Sequence, residues 1–173
     1  MRAQYALIRL LLFILVLPFT IAVFVPFWVA RRYDVAFTAP SDLLGVVLQA
    51  VGALLLLLGL ALFASSFYQI VTRERGRLAP WDPPPRLVVR GAYRFVRNPM
   101  ICGVTLILFG EALVLESVPH AIWAAAFLLF TLIYVPLLDE PQLEARFGDD
   151  YRRYQRHVSR FLPRLRPWNP DTK

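Results

Sequence analysis

Four stretches of this chain stay apolar for longer than a soluble core element needs. Leu10 to Ala30 runs 21 residues without a charge, Leu43 to Thr72 runs 30, and Ser117 to Leu138 runs 22. Met100 to Leu115 is apolar apart from Glu111. A helix of about 20 apolar residues crosses a bilayer. The pattern therefore predicts an all-α, polytopic membrane protein with about four transmembrane helices, over residues 5–30, 43–72, 99–117 and 120–138. Residues 1–173 read as a single domain. The first run is too long for the apolar core of a usual signal peptide, and Pro18 and Pro26 interrupt it, so it is expected to be retained as a helix.

Polar and small residues inside these runs are ordered. Gly45, Gly52, Gly59 and Ser66 recur every seven residues, and so do Gly103 and Gly110. Seven residues is close to two helical turns, so each set forms one narrow stripe. Such stripes let membrane helices approach closely, and the first is expected to be a packing face. Gln49 and Gln69 are polar within the second helix, and each is expected to bond a neighbouring helix or to cap a site. Glu111 lies beside the second stripe. An ionisable residue within a span is a functional candidate. It also fits a place near the far interface, a pairing with a glutamine of the second helix, or a protonated state.

The polar segments between the runs carry the chemistry. Leu87 to Gly103, LVVRGAYRFVRNPMICG, forms a basic threshold to the third helix. Asn98 can cap that helix and Pro99 suits its first position. Leu138 to Val158 follows the last run. It predicts a short helix from about Pro141, ended by Gly148, and a second capped by Asp149. Tyr151, Tyr154 and Val158 fall on one side of the second, with Arg152, Arg153 and Arg156 opposite, as in a helix lying at a membrane interface. The turn between helices three and four is short. They must form a hairpin, which returns Asn98 and Asp139 to one membrane face.

Composition narrows the picture. The chain is 58% apolar with mean hydropathy +0.53, which excludes an ordinary soluble globule. Its net charge of +7 would suit nucleic acid, but the arginines are placed by topology. Seven lie between Arg73 and Arg97, and eight basic residues lie from Arg146 to Lys173. The positive-inside rule puts both segments in the cytoplasm, at a bacterial inner membrane. Membrane lipids, not nucleic acid, are then the partners of the excess charge. A single cysteine, Cys102, excludes an internal disulfide and a cysteine metal cluster, and no metal site is expected. The oligomeric state is not legible.

From the residues alone, one site is suggested at the shared face. It holds the pair Asp139-Glu140, Arg97, Arg94, Tyr93 and the backbone of Leu87 to Val89. This set suits a zwitterionic ligand with a flat ring. A local salt bridge from the acid pair to Arg97 or Arg94 explains the same residues. LVxxGxYxxxRNPMxxG (Leu87 to Gly103) and DEPxLxxxFGxxYxxYxxxVxRxxP (Asp139 to Pro163) then occur in order, with the hairpin between them. Together they resemble the isoprenylcysteine carboxyl methyltransferase family and its bacterial, phospholipid-methyltransferase-like relatives. The resemblance implies an integral-membrane methyltransferase using S-adenosyl-L-methionine on a lipophilic substrate from the bilayer. Segments 85–103 and 138–163 would bind the cofactor. Leu87, Val88, Tyr93, Asn98, Pro99, Met100 and Ile101 would line its pocket, with Arg97 and Gly103 in the same segment, and Asp139 and Glu140 would hold its charged end. If the acceptor is an amine, Glu140 or Glu111 could take its proton. Asn98, Ile101 and Val135 stand where the prenylcysteine enzymes carry histidine, tyrosine and arginine, so the resemblance supports the cofactor site more than a prenylcysteine carboxylate. A membrane reductase of the sterol-reductase type and a non-catalytic helix bundle remain the alternatives.

Overall fold

The computed structural model of the chain describes residues 16–73, 87 and 89–169. Val88, the segment 74–86 and the first 15 residues lie outside the described residues, so expectations placed there are left at the sequence. Among the described residues every regular element is helical. We label the α-helices α1 (Val25–Arg32), α2 (Leu43–Arg73), α3 (Pro99–Val114), α4 (Val118–Tyr134), α5 (Glu140–Phe147) and α6 (Asp149–His157). A short 3-10 turn, Gly91–Arg94, precedes α3. Leu43–Gln69 and Val118–Phe147 are long and apolar enough to cross a membrane, and Pro99–Val114 is a shorter apolar helix.

The apolar surface points outward. Leu43 is 78% and Leu57 67% exposed on α2, and Ile122 and Leu129 are exposed on α4. This is the reverse of a soluble core helix and fits a lipid environment. The inward face is set by the small-residue stripes. A Cβ on Gly59 would lie 2.7 Å from the Gly103 carbonyl, and one on Gly110 would lie 2.8 Å from the Gly52 carbonyl. The pairs run in opposite sense along α2 and α3, so the helices are antiparallel with their backbones nearly touching. Ser66 completes the stripe, fully buried, its hydroxyl donating to Leu62 O at 2.7 Å. Gly103, placed in the small stripe by its spacing, admits α2: a Cβ there would meet Gly59 O and Phe63 N at 2.9 Å.

The α3–α4 hairpin closes in a tight turn in which Glu116 takes φ +46° and Ser117 caps α4. Gln49 reaches this end and donates to Glu116 Oε1 at 3.2 Å and Thr38 O at 2.9 Å. The glutamine's carboxylate partner is thus Glu116. A wide turn, Thr20–Phe24, leads into α1, and in it Val25 N–H bonds Thr20 O. The Ile21 carbonyl would need a donor at position 26, where proline has none. Trp123 Nε1 supplies it at 3.0 Å, and His120 Nε2 contacts Pro26 O at 3.2 Å. A defect in one helix is thereby turned into a dock for α4.

A second wide turn, Val135–Asp139, joins α4 to α5 without a break, giving one helix from Val118 to Phe147. The chain was expected to leave the helix at Asp139. Pro141, which has no N–H, follows the wide turn as Pro26 follows the first one, and the helix resumes beyond it. Asp139 and Glu140 therefore sit within a continuous helix.

Placing a side chain at Gly59 should strain the α2–α3 contact. Gly59→Val is expected to cost about 1–3 kcal/mol, lowering the thermal midpoint in detergent by roughly 5–10 °C. Leu57→Ala, on the outward face, should change it little. Equal midpoints for the two variants would refute this packing.

Candidate functional site

Two segments far apart in sequence are laced together beside the start of α3. Arg97 N–H donates to Ser159 O at 2.9 Å, Arg164 N–H to Phe95 O at 2.9 Å, and Trp168 N–H to Arg94 O at 3.0 Å. Tyr154 Oη donates to Tyr93 O at 2.6 Å. Arg94, considered above as an ion-pair partner, instead holds the tail through Trp168 O and Asn169. The threshold and the C-terminal segment thus form one layer, as the hairpin requires.

Local sequence explains the layer. Gly91 takes φ +50°, and the side chain of Gln69 lies where its Cβ would be, so only glycine starts the turn before Tyr93. Gly148 takes φ +53° between α5 and α6 and reverses the chain. That reversal carries Tyr151, Tyr154 and Val158 onto Val89, with Leu87, Leu143, Phe147 and Trp168 around them. All three inward residues are at most 3% exposed. The apolar side of α6 was expected on the lipid surface, but it packs on the threshold. Arg152, Arg153 and Arg156 stay exposed, with Arg152 on Glu144 and Asp149.

At the centre of the layer stands Glu140, 6% exposed. Arg160 grips it with two bonds, Nε to Oε1 at 2.7 Å and Nη2 to Oε2 at 2.8 Å. Arg97 Nη2 lies 3.0 Å from Oε1, with its side chain only 9% exposed. The salt bridge the residues suggested is therefore present, with a third member. Arg160 was not singled out from the sequence, although it is the arginine of the VxRxxP pattern. Its bonds to Glu140 hold the guanidinium more firmly charged than usual. Two guanidiniums engage this one carboxylate, so its place is that of a clamp.

The remaining expected residues divide. Asn98 does not cap α3 with its side chain. Its Nδ2 donates to Arg160 O at 3.3 Å, and Pro99 takes the first helical position as expected. Leu87, Tyr93, Met100 and Asp139 are half-buried in or beside the layer. Ile101 packs instead with the α3–α4 core of Val104, Ile107 and Leu108. Glu111 lies 13 residues along α3 from Asn98, about 20 Å at 1.5 Å per residue. The two carboxylates proposed as bases occupy different regions.

One feature of the layer asks for a ligand. Arg97 Nε and Nη1 are buried and have no partner. Buried guanidinium N–H groups left unbonded are costly. The two lie on different edges of the guanidinium, so each is a separate charged donor, and either fits a single oxygen of an anion. Nearby, Glu140 N–H bonds Val135 O, and Pro141 has no N–H, so the Pro136 carbonyl lacks its helical donor.

The described residues are all helical, with two helices long and apolar enough to cross a membrane beside this buried polar layer. Residues 47–150, more than half of the chain, match the phospholipid methyltransferase family, and the chain belongs to that family. It is also 34% identical over 80 residues to methanethiol S-methyltransferase 1 of Bradyrhizobium diazoefficiens. That alignment covers 46% of this chain and 27% of the relative, so the chain spans only about a quarter of the relative's length. No solved structure matches.

The tail should be sensitive to alkali. Burial pushes the Tyr151 phenol up to about 12, with Glu140 adding, and burial raises Tyr154 further. Both hold their proton more tightly folded than unfolded. Their stability contribution is full below pH 10 and is lost as pH rises through about 12. Stability against denaturant is expected to be level to about pH 9 and to fall above pH 10, less steeply in Tyr151→Phe. An unchanged slope in that variant would contradict the buried placement of Tyr151.

Proposed function

We propose that this protein is an S-adenosyl-L-methionine-dependent methyltransferase that acts on a lipophilic, membrane-embedded acceptor. Four spans, two of them the long helices above, would carry one domain over residues 1–173. The threshold and tail would face the cytoplasm at the inner membrane, as their arginines favour. Segments 85–103 and 138–163 would hold the cofactor.

The observation that carries this reading is Arg97. Its two unpartnered, buried nitrogens are charged donors, either of which fits one carboxylate oxygen of an amino-acid moiety, while Asp139 fits an ammonium. Glu140 and Arg160 position Arg97 and do not touch the ligand. Leu87, Tyr93 and Met100 would supply apolar and aromatic walls, with Val88 expected beside them from the sequence, and Asn98 would fix the floor through Arg160 O at the start of α3, which Pro99 opens. When bound, the cofactor supplies an activated methyl on a sulfonium. The protein's own task is then to orient donor and acceptor and to exclude water. The relative from Bradyrhizobium takes a thiol, by its name, and the family's name specifies a phospholipid. Neither fixes the acceptor here.

Calorimetry of the detergent-purified protein with S-adenosylhomocysteine tests the reading, with NADPH as the comparison. Binding of the former alone is expected. Arg97→Ala should weaken it at least tenfold, or about 1.4 kcal/mol, with Arg97→Lys intermediate. Binding of NADPH instead, or indifference to Arg97→Ala, would overturn it.

A further inference from the structure

Behind the polar layer lies a cavity of about 810 Å³, between α2, α3, α4 and the tail. Its volume is that of a small-molecule site. Leu58, Ala61 and Ser65 on one wall are exposed positions of α2, so the cavity opens sideways toward lipid. Thr131, 3% exposed, marks its depth. At the other end lie Val96 and Phe161, each the chain neighbour of a member of the ion cluster, Arg97 and Arg160. The cavity and the cluster are therefore back to back across two shared strips of chain.

The chemistry of the wall is one-sided. None of its described lining residues is charged. Its hydroxyls have their hydrogens engaged: Ser65 donates to Leu62 O at 3.0 Å, Thr105 to Ile101 O at 2.8 Å, and Thr131 to Leu128 O at 2.9 Å. Cys102 Sγ is turned to Phe161 O at 3.5 Å. These four offer lone pairs but no free donor. An anion placed here would lose its hydration and gain no hydrogen bond, at several kcal/mol. An uncharged chain loses nothing and buries apolar area.

We infer that this cavity is the acceptor site and that it selects an uncharged, hydrocarbon-bodied molecule, such as a lipophilic thiol or alcohol, against carboxylate, sulfonate and phosphate amphiphiles. This rests on the methyltransferase reading for its role but not for its occupancy. The acceptor body enters from the bilayer between α2 and α4, and its reacting end lies toward Val96 and Phe161.

Photolabelling in lipid nanodiscs tests this without any methyl donor. A long-chain alcohol carrying a diazirine is compared with an alkyl sulfonate of equal length carrying the same group. Mass spectrometry is expected to find the alcohol on peptides containing residues 58–65, 102–106 and 128–131, with the sulfonate at least tenfold weaker there. Ala61→Trp and Leu58→Trp, each filling the mouth from an exposed position, should each reduce the alcohol's labelling, with the thermal midpoint reporting that the variant is folded. Equal labelling by the sulfonate, or labelling unchanged in both folded variants, would overturn the inference. Failure here with intact binding of S-adenosylhomocysteine would leave the methyltransferase reading standing, and the converse result would sink that reading alone.

Discussion

The constraint on which the rest depends is the burial of one carboxylate, Glu140, between two guanidiniums. A buried ion pair contributes little over a well-packed apolar substitute, but removing one partner strands a charge and costs about 3–5 kcal/mol. Its effect is therefore on arrangement. Arg97 comes from the threshold, Glu140 from the helix that returns through the hairpin, and Arg160 from the tail. No two of them lie on one element. Holding the three together fixes the tail over the threshold, and the backbone bonds from Arg97, Arg164 and Trp168 then close the layer.

Two kinds of packing support this polar centre. Within the spans, glycine stripes let α2 and α3 touch backbone to backbone, where dispersion and small size replace the hydrophobic effect. Beside the start of α3, the aromatic side of α6 closes on Val89, with Trp168 stacked 5.8 Å from Tyr154 and 5.2 Å from His157. The first contact sets the axis of α3. The second sets the height of the tail above it. Between them lies the apolar cavity, so one carboxylate clamp positions the walls of a polar and an apolar compartment.

Much of this was legible in the chain. Run lengths announced the helices, the seven-residue spacing announced the α2–α3 face, and the short turn at Ser117 announced that Asn98 and Asp139 share an end. What was not legible depends on contacts without a period. Asp139 reads as a helix exit, yet a wide turn over Val135–Asp139 carries the helix on into α5. Asn98 reads as a cap, yet its amide turns to Arg160 O. Tyr151 and Tyr154 read as membrane-facing, because amphipathicity alone does not say which apolar surface receives them. Arg160 is 20 residues from Glu140 across a glycine reversal, and only its place in the VxRxxP pattern hinted at a role.

The most direct measurement is a double-mutant cycle on Glu140 and Arg160, using Glu140→Gln, Arg160→Gln and the pair, read by denaturant unfolding in one detergent. The clamp predicts that the double variant is less destabilised than the sum of the singles, by more than about 1 kcal/mol. Additive losses would mean that these side chains act independently and that the tail is not held on the threshold through Glu140.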